Sequence, residues 1–224
     1  MFPYVNTHTH QIGEGIHILN LDALSPTFEP GDVSSPTDDT LFYSIGIHPL
    51  CLEEHQEVAW QNIASSLQHP RVIAIGECGL DRRGKTPIAL QLALLSKHLQ
   101  LATQARKPLI IHCVKAYSEL IAWHKSLSPS VPCIIHGYNN NLHILSPLLA
   151  HHFYISFGPA LLQPHSNASQ VISHVPLTSL FLETDDKETP IDQVYHAASQ
   201  WLNIPLAKLR QQLWENYTTT FSTK

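Results

Sequence analysis

Two histidines one residue apart, His8 and His10, stand near the start of the chain in the stretch VNTHTHQIGEG. Side chains at alternate positions of a strand point to the same face, so both imidazoles could bind one metal ion. The chain carries 16 histidines, and a His-x-His pair alone is weak evidence for metal. A metal site therefore requires further donors elsewhere in the sequence.

Such donors stand where other apolar runs end. Four runs end on an imidazole or a carboxylate, namely VIAIGE on Glu77, PLIIH on His112, CIIH on His136 and LFLETD on Asp185. The carboxyl ends of all strands of a parallel barrel meet at one mouth, so we expect these side chains to converge there with the first histidine pair. Imidazoles and carboxylates suit Zn²⁺, Mn²⁺ or Fe²⁺, and four histidines with two carboxylates are enough for two ions.

The elements that must position these residues alternate between short apolar runs and helical stretches, which is typical of a parallel α/β sheet. We interpret eight runs as strands: PYVNTH, GIHILNL, LFYSIGIHP, RVIAIGECG, PLIIHC, VPCIIHG, FYISFG and SLFLETD. Eight is the number of strands that closes a TIM barrel. Helical spacing of apolar residues predicts helices over 86–106, 116–127, 141–152, 166–175, 190–203 and 206–217.

The first quarter of the chain departs from this alternation. Only five residues separate His10 from Ile16, and the stretch ALSPTFEPGDVSSPTDDT is rich in residues that favour loops. We therefore predict a distorted TIM (β/α)₈ barrel whose first two helices are missing or vestigial, with no helix longer than two turns between Gln11 and Thr40. Residues 1–224 are interpreted as a single domain.

Composition limits the classes of function. The chain has 224 residues, 43% of them hydrophobic, and a formal net charge of -5. An acidic protein does not favour an extended duplex footprint or an anionic membrane surface. The apolar runs are far shorter than the roughly 20 residues that span a bilayer. We see no secretion signal, and four cysteines without CxxC spacing indicate a reduced, cytoplasmic protein.

The motifs NTHTH, GIHP, IGECGLD, PLIIH, IIHGY, FLETD and ENYTTTF resemble, in this order, those of TatD-type metal-dependent hydrolases. These are amidohydrolase-like TIM barrels linked to DNA exonuclease activity, and the resemblance extends from residue 4 to residue 221. It implies two divalent ions (zinc, manganese, magnesium or iron). One ion would be bound by His8, His10, Glu77 and Asp185, and Glu77 would bridge to a second ion bound by His112 and His136. Asp185 would also be the general base that activates the attacking water.

Several positions depart from the family pattern. Asn6 stands where the family usually has Asp, and Val114 stands where a basic residue usually follows IHC. HGYNN replaces an HCFSG-like turn, and RRGK follows GLD where aromatic residues are usual. Asn6 can still hydrogen-bond a neighbour but brings no charge. These changes leave the ligand set intact and bear on the substrate.

Five residues near the mouth are candidates for binding substrate. His48 is expected to face the mouth, where the resemblance favours a substrate contact and packing is the alternative. Arg82, Arg83 and Lys85 could bind a phosphate group. The alternative is that they are solvated charges of a loop. Lys115 could replace the basic residue that the family usually has at the position of Val114.

Other residues near the ligands have structural alternatives. Asp81 could orient a metal ligand or cap the following helix. Cys78 and Cys113 each adjoin a proposed ligand and should be buried thiols that face the helix layer. The four tryptophans are interpreted as packing residues.

These residues predict a hydrolase in which two metal ions generate hydroxide at neutral pH. A phosphoric ester is the leading substrate class, as the 3′ end of single-stranded DNA or a small nucleotide. One alternative is a hydrolase of carbon esters, lactones or amides that uses the same metals. Another is a barrel that binds metal or a protein partner without turnover. The sequence does not define an oligomeric state.

Overall fold

The computed structural model describes residues 2–24, 39–51 and 56–221. All eight predicted strands are present: β1 Val5–Thr9, β2 Ile16–Asp22, β3 Leu41–Gly46, β4 Val72–Asp81, β5 Leu109–Val114, β6 Cys133–Ile135, β7 Tyr154–Phe157 and β8 Leu180–Leu182. Neighbours in the chain are neighbours in the sheet, and every pair is parallel. The predicted TIM-like barrel is confirmed.

The barrel closes between β1 and the segment that follows β8. The amide of His10 donates to the carbonyl of Asp185 at 3.0 Å, and the amide of Asp185 donates to the carbonyl of His8 at 3.1 Å. Thr9 and Asp185 form the parallel bridge at this seam. The first and last strands therefore meet at the mouth, at the residues that the sequence marks as metal ligands.

Seven α-helices lie within the described residues: α1 Gln56–Ser66, α2 Ile88–Ala105, α3 Tyr117–Leu127, α4 Leu142–Ala150, α5 Asn167–Val171, α6 Ile191–Leu202 and α7 Leu206–Phe221. The sequence did not predict α1. The helix predicted over 166–175 is divided into α5 and the 3₁₀ turn Ile172–His174. None of the helices in the described ranges is long and apolar enough to cross a membrane.

The flank that joins β1 to β2 has no crossover helix. Residues 10–15 are bends and irregular chain, and no helix occurs in 11–24 or 39–40. The prediction for residues 11–40 holds for these ranges, while residues 25–38 lie outside the described residues. Without a helix, the first crossover is a short loop beside the mouth.

The barrel interior is divided into an apolar floor and a polar mouth. Tyr217 and Phe221 of α7 close the floor, where Phe221 packs edge-on against Phe181 with ring centroids 5.7 Å apart. The apolar side chains packed with them are Val5, Ile16, Ile18, Ile73, Ala74, Ile110 and Ile134. This packing keeps water out from below, so substrate must enter at the mouth.

A second core lies between the sheet and the helices. Cys78 and Cys113 are buried in it, as predicted, and burial raises the pKa of both thiols. Trp60 and Trp123 are buried there as well. Trp201 is 39% exposed, and its Nε1 donates to the carbonyl of Leu161 at 2.9 Å.

Strand β4 is longer than predicted and contains a bulge at the site. Ile75 pairs with Leu109 and Cys78 with Ile111, so β4 has one extra residue between these pairs. At Gly79, φ is +148°, and a Cβ would lie 2.0 Å from the carbonyl oxygen of His112. Glycine therefore lets β4 continue past the bulge as far as Asp81, two residues beyond the predicted end of the strand.

Candidate metal centre

Glu77 lies at the centre of the histidine cluster, and its Oε1 faces three of the imidazoles. The distances are 2.7 Å to Nδ1 of His112, 2.9 Å to Nε2 of His136 and 3.3 Å to Nε2 of His48. His48 lies two residues beyond the end of β3, yet its nitrogen reaches the same oxygen as the strand-end histidines. Three imidazoles therefore converge on one side of this carboxylate.

The other oxygen of Glu77 faces the first histidine pair. Oε2 lies 3.6 Å from Nε2 of His8 and 3.9 Å from Nε2 of His10. The same two nitrogens lie 3.5 and 3.7 Å from Oδ1 of Asp185. Glu77 is buried between the two sets of histidines, and each of its oxygens faces a different set of imidazole nitrogens.

These separations fit ligands that share a metal ion. Two ligands of a tetrahedral ion, each bound at about 2.1 Å, lie about 3.4 Å apart. His8 is fully buried, and neither of its ring nitrogens makes a hydrogen bond within the described residues. A buried ring nitrogen without a hydrogen bond is costly, and a cation in contact with Nε2 would remove that cost for this nitrogen.

Among the described residues, three groups of donors have ligand atoms within 4.8 Å of one another. They are His8, His10 and Glu77; His8, His136 and Asp185; and His48, Glu77 and His112. The structure thus brings together all six residues that the sequence marked as ligands. It adds His48 to the donors around Glu77.

The electrostatics of the cluster favour cations. Burial alone would raise the pKa of Glu77, but hydrogen bonds with His112 and His136 bring it well below its usual range. Burial would likewise raise the pKa of Asp185, whereas contact with His8 and the charge of His136 lower it to about 2. Both carboxylates are therefore ionised at neutral pH.

The histidines respond to the same field. Burial and His136 act to lower the pKa of His8, but contacts with Asp185 and Glu77 outweigh them and raise it. The pKa of His136 is also raised, because contacts with Glu183 and Glu77 exceed the cost of burial. A field that holds protons on these imidazoles also attracts a divalent ion, so metal binding would release protons.

Asp81 orients His112 from behind. Its Oδ2 lies 2.9 Å from Nε2 of His112. An ionised carboxylate only accepts hydrogen bonds, so Nε2 carries a hydrogen, and Nδ1, on the side of Glu77, is the nitrogen that would bind a metal ion. Helix α2 begins at Ile88, which makes the alternative role of Asp81 as its cap incompatible with the structure.

Glu183 is a buried carboxylate that the sequence interpretation missed. Its Oε1 accepts a hydrogen bond from the amide of Gly137 at 2.6 Å and lies 3.4 Å from Nδ1 of His136. It therefore orients His136 as Asp81 orients His112. The signal was available in LFLETD, where alternation places Glu183 and Asp185 on the same face.

Two asparagines support the site through the backbone. Oδ1 of Asn20 accepts from the amide of Glu77 at 2.7 Å. Asn6 is buried and exchanges two hydrogen bonds with Thr184, at 2.8 Å to Oγ1 and 3.1 Å from the amide. Asn6 thus makes the neighbour contact expected of it, one residue before Asp185.

The four basic candidates lie outside the donor cluster. Arg82 pairs with Glu119. Arg83 grips Asp81, with Nε 3.0 Å from each carboxylate oxygen. The side chains of Lys85 and Lys115 are exposed.

The mouth contains a cavity of about 340 Å³. Its lining is formed by His10, Asn20, Asp22, Gly46, His48, Cys51, Glu77, His112, His136, Asp185 and Asp186. Within the described residues this lining has four carboxylates and no lysine or arginine. A substrate anion in the cavity would therefore be neutralised by bound cations and imidazoles.

A parallel eight-stranded barrel with imidazoles and carboxylates at the carboxyl ends of its strands is the architecture of metal-dependent barrel hydrolases. The chain belongs to the TatD related DNase family, whose model matches residues 30–222. That match begins after His8 and His10, so the inclusion of this pair among the candidate ligands depends on the structure and on the His-x-His motif itself.

Curated relatives carry names of two kinds. The chain is 30% identical over 156 residues to an uncharacterized metal-dependent hydrolase, YjjV, of Escherichia coli strain K12, covering 68% of this chain and 60% of the relative. It is 27% identical over 188 residues to the 3'-5' ssDNA/RNA exonuclease TatD of Edwardsiella piscicida, covering 82% and 72%. It is 30% identical over 154 residues to the human 3'-5' RNA nuclease TATDN2, covering 66% of this chain and 20% of that protein.

Solved structures share the fold over nearly the whole chain. The crystal structure of YjjV from E. coli superposes with a TM-score of 0.86 at 24% identity, covering 99% of this chain and 98% of that one. A TatD-family hydrolase from Entamoeba histolytica gives a TM-score of 0.79 at 16% identity and covers 98% of each chain. At these identities the likeness establishes the fold.

Proposed function

We propose that this chain is a divalent-metal-dependent phosphodiesterase that removes nucleotides from the 3′ end of single-stranded DNA or hydrolyses small nucleotides. The observation that carries the proposal is the position of Glu77, whose two oxygens face different sets of imidazoles. Such a bridging carboxylate suits two ions that clamp the oxygens of one phosphate. Exonuclease names among the relatives support the substrate class.

The proposed ligands follow the two sides of Glu77. His8, His10 and Asp185 would hold one ion with it, and His112 and His136 the other. When bound, the ions would polarise the phosphate and lower the pKa of an attacking water. His48 would contact the substrate from within the second donor set. Zinc, manganese, magnesium and iron all remain compatible with these donors.

The protein residues would accept the proton and orient the ligating nitrogens. Asp185 is ionised, and its side chain is 36% exposed at the cavity, so it can accept a proton from water there. Asp81 and Glu183 hold the tautomers of His112 and His136, which keeps the ligating nitrogens aimed at Glu77. On a longer strand, Arg82, Arg83 and Lys115 would meet phosphates outside the cavity.

Metal content and turnover together test this proposal. Gently purified protein should contain one to two divalent ions per chain, and His8→Ala combined with His10→Ala should empty one position. Asp185→Asn should lower turnover by about 10²–10⁴-fold, the usual cost of losing a general base, while much of the metal remains. A wild-type chain that binds no metal on titration, or near wild-type turnover in Asp185→Asn, would contradict the proposal.

One observation favours a second candidate, a hydrolase of carbon esters or lactones. The cavity lining has no lysine or arginine among the described residues, and both arginines after β4 are paired with carboxylates. A neutral substrate would suit this lining. Bis(4-nitrophenyl) phosphate, 5′-labelled single-stranded oligonucleotides and a lactone panel, assayed side by side with the Mn²⁺-loaded protein, discriminate the two.

A further inference from the structure

Asp22 is a carboxylate of the mouth cavity that the proposed ligand set does not use. It ends β2 beside Gly46 of β3 and lines the same cavity as Glu77. Asn20, two residues earlier on the same face of β2, holds the amide of Glu77. Two residues of a strand span about 6.6 Å, so Asp22 lies that much farther along β2 than the residue that holds the amide of Glu77.

The carboxylate of Asp22 has one oxygen available. Oδ1 accepts from the amide of Leu24 at 2.9 Å, which fixes the side chain at the strand end. Oδ2 accepts no hydrogen bond within the part of the chain that the structure describes. The other lining carboxylates are engaged, since Glu77 and Asp185 face histidines and Asp186 pairs with Lys187 at 3.0 Å.

We propose that Asp22 selects the base of the terminal nucleotide by accepting a hydrogen bond from its exocyclic amino group. This inference rests on the proposed nucleotide substrate. An ionised carboxylate accepts and cannot donate, so it favours the 4-amino group of cytosine and opposes the 4-oxo group of uracil. Because the lining has no lysine or arginine among the described residues, the base edge, rather than further phosphates, is the group to be recognised.

Cytosine and uracil at the 3′ end of otherwise identical oligonucleotides provide the test. The Mn²⁺-loaded wild-type protein should give a kcat/KM ratio for 3′-dC over 3′-dU of about 10, within the range of one base-specific pair. Asp22→Asn retains an oxygen for the amide of Leu24 and adds a donor for the 4-oxo group. In this variant the ratio should therefore fall to about 1 or below.

Asp186→Asn is the matched control, because it removes the same charge from the same cavity but at a carboxylate already paired with lysine. It should keep the wild-type ratio. Calorimetric titration of the Mn²⁺-loaded proteins with dCMP and dUMP supplies a readout without turnover, in which the preference should again depend on Asp22. Equal wild-type values for the two bases, or an equal loss in both variants, would overturn the inference.

Failure of the proposed function would look different. If bis(4-nitrophenyl) phosphate and both oligonucleotides are untouched, the phosphodiesterase assignment fails and the base preference falls with it. If they are cleaved at rates independent of the terminal base, the assignment stands and the role of Asp22 is wrong.

Discussion

His98 of α2 should make the stability of the fold depend on pH. The side chain is 1% exposed; its Nδ1 donates to the carbonyl of Leu94 at 2.8 Å, and its Nε2 accepts from the amide of Ile47 at 3.1 Å. An imidazole that accepts at Nε2 must be neutral. Burial is the main cause that lowers the pKa of His98 to about 4.

The sign follows from the two pKa values. In the unfolded chain the pKa of His98 is about 6.5, so below that pH the unfolded chain binds more protons than the folded one. The stabilisation is complete above about pH 6.5 and is lost as the pH falls toward 4. A difference of about 2.5 pKa units at about 1.36 kcal/mol per unit gives about 3 kcal/mol in total, of which about 2.5 kcal/mol is lost by pH 4.5.

Urea unfolding of the metal-free protein between pH 7.5 and 4.5 measures this loss. His98→Gln is the comparison, because a glutamine oxygen can accept from Ile47 and does not titrate. Other groups contribute equally to both proteins, so the difference between the two free energies of unfolding should change by about 2.5 kcal/mol across the range. Parallel curves for the two proteins would refute the neutral, buried state of His98.

Three shorter predictions concern the site and its support. Asp81→Asn should weaken metal binding by about 10–100-fold through misoriented His112; chelator competition measures it, and unchanged affinity would contradict the role. Gly79→Ala should destabilise the fold by more than about 1 kcal/mol, since its φ is +148° and the added Cβ meets backbone; a wild-type melting temperature would contradict this. Chelation should lower the melting temperature of the wild type, because metal at a concentration of 100 Kd contributes about 2.7 kcal/mol of stability that chelation removes. The melting temperature should fall less in His8→Ala with His10→Ala; equal shifts would exclude metal at that pair.

The strands could be predicted from sequence because each is a short apolar run bounded by polar residues. Even β6 and β8, three residues each, were recognisable in this way. Helix α1 was missed because its apolar face is interrupted, with Val58 58% exposed beside buried Ala59 and Trp60. The bulge in β4 could not be foreseen, since it depends on pairing with β5.

The ligand cluster could be predicted because polar residues at the ends of parallel strands share one mouth. The residues behind the ligands could not, since their roles depend on partners distant in sequence. Asn20 is 57 residues from the amide that it holds. The pairing of Arg82 with Glu119 likewise depends on the packing of α3 against the loop after β4.

The closure of the barrel at its mouth has a consequence for how the chain folds. The seam joins residues about as far apart as Thr9 and Thr184, whose hydroxyls hydrogen-bond at 3.0 Å across a separation of 175 residues. Such a contact incurs the loop-closure entropy of nearly the whole chain, and during synthesis it cannot form until β8 has emerged. Because His8 and Asp185 flank the same seam, an ion bound by both residues would link the first and last strands of the sheet and stabilise their pairing. Loading with metal would then complete assembly of the barrel as well as prepare it for chemistry.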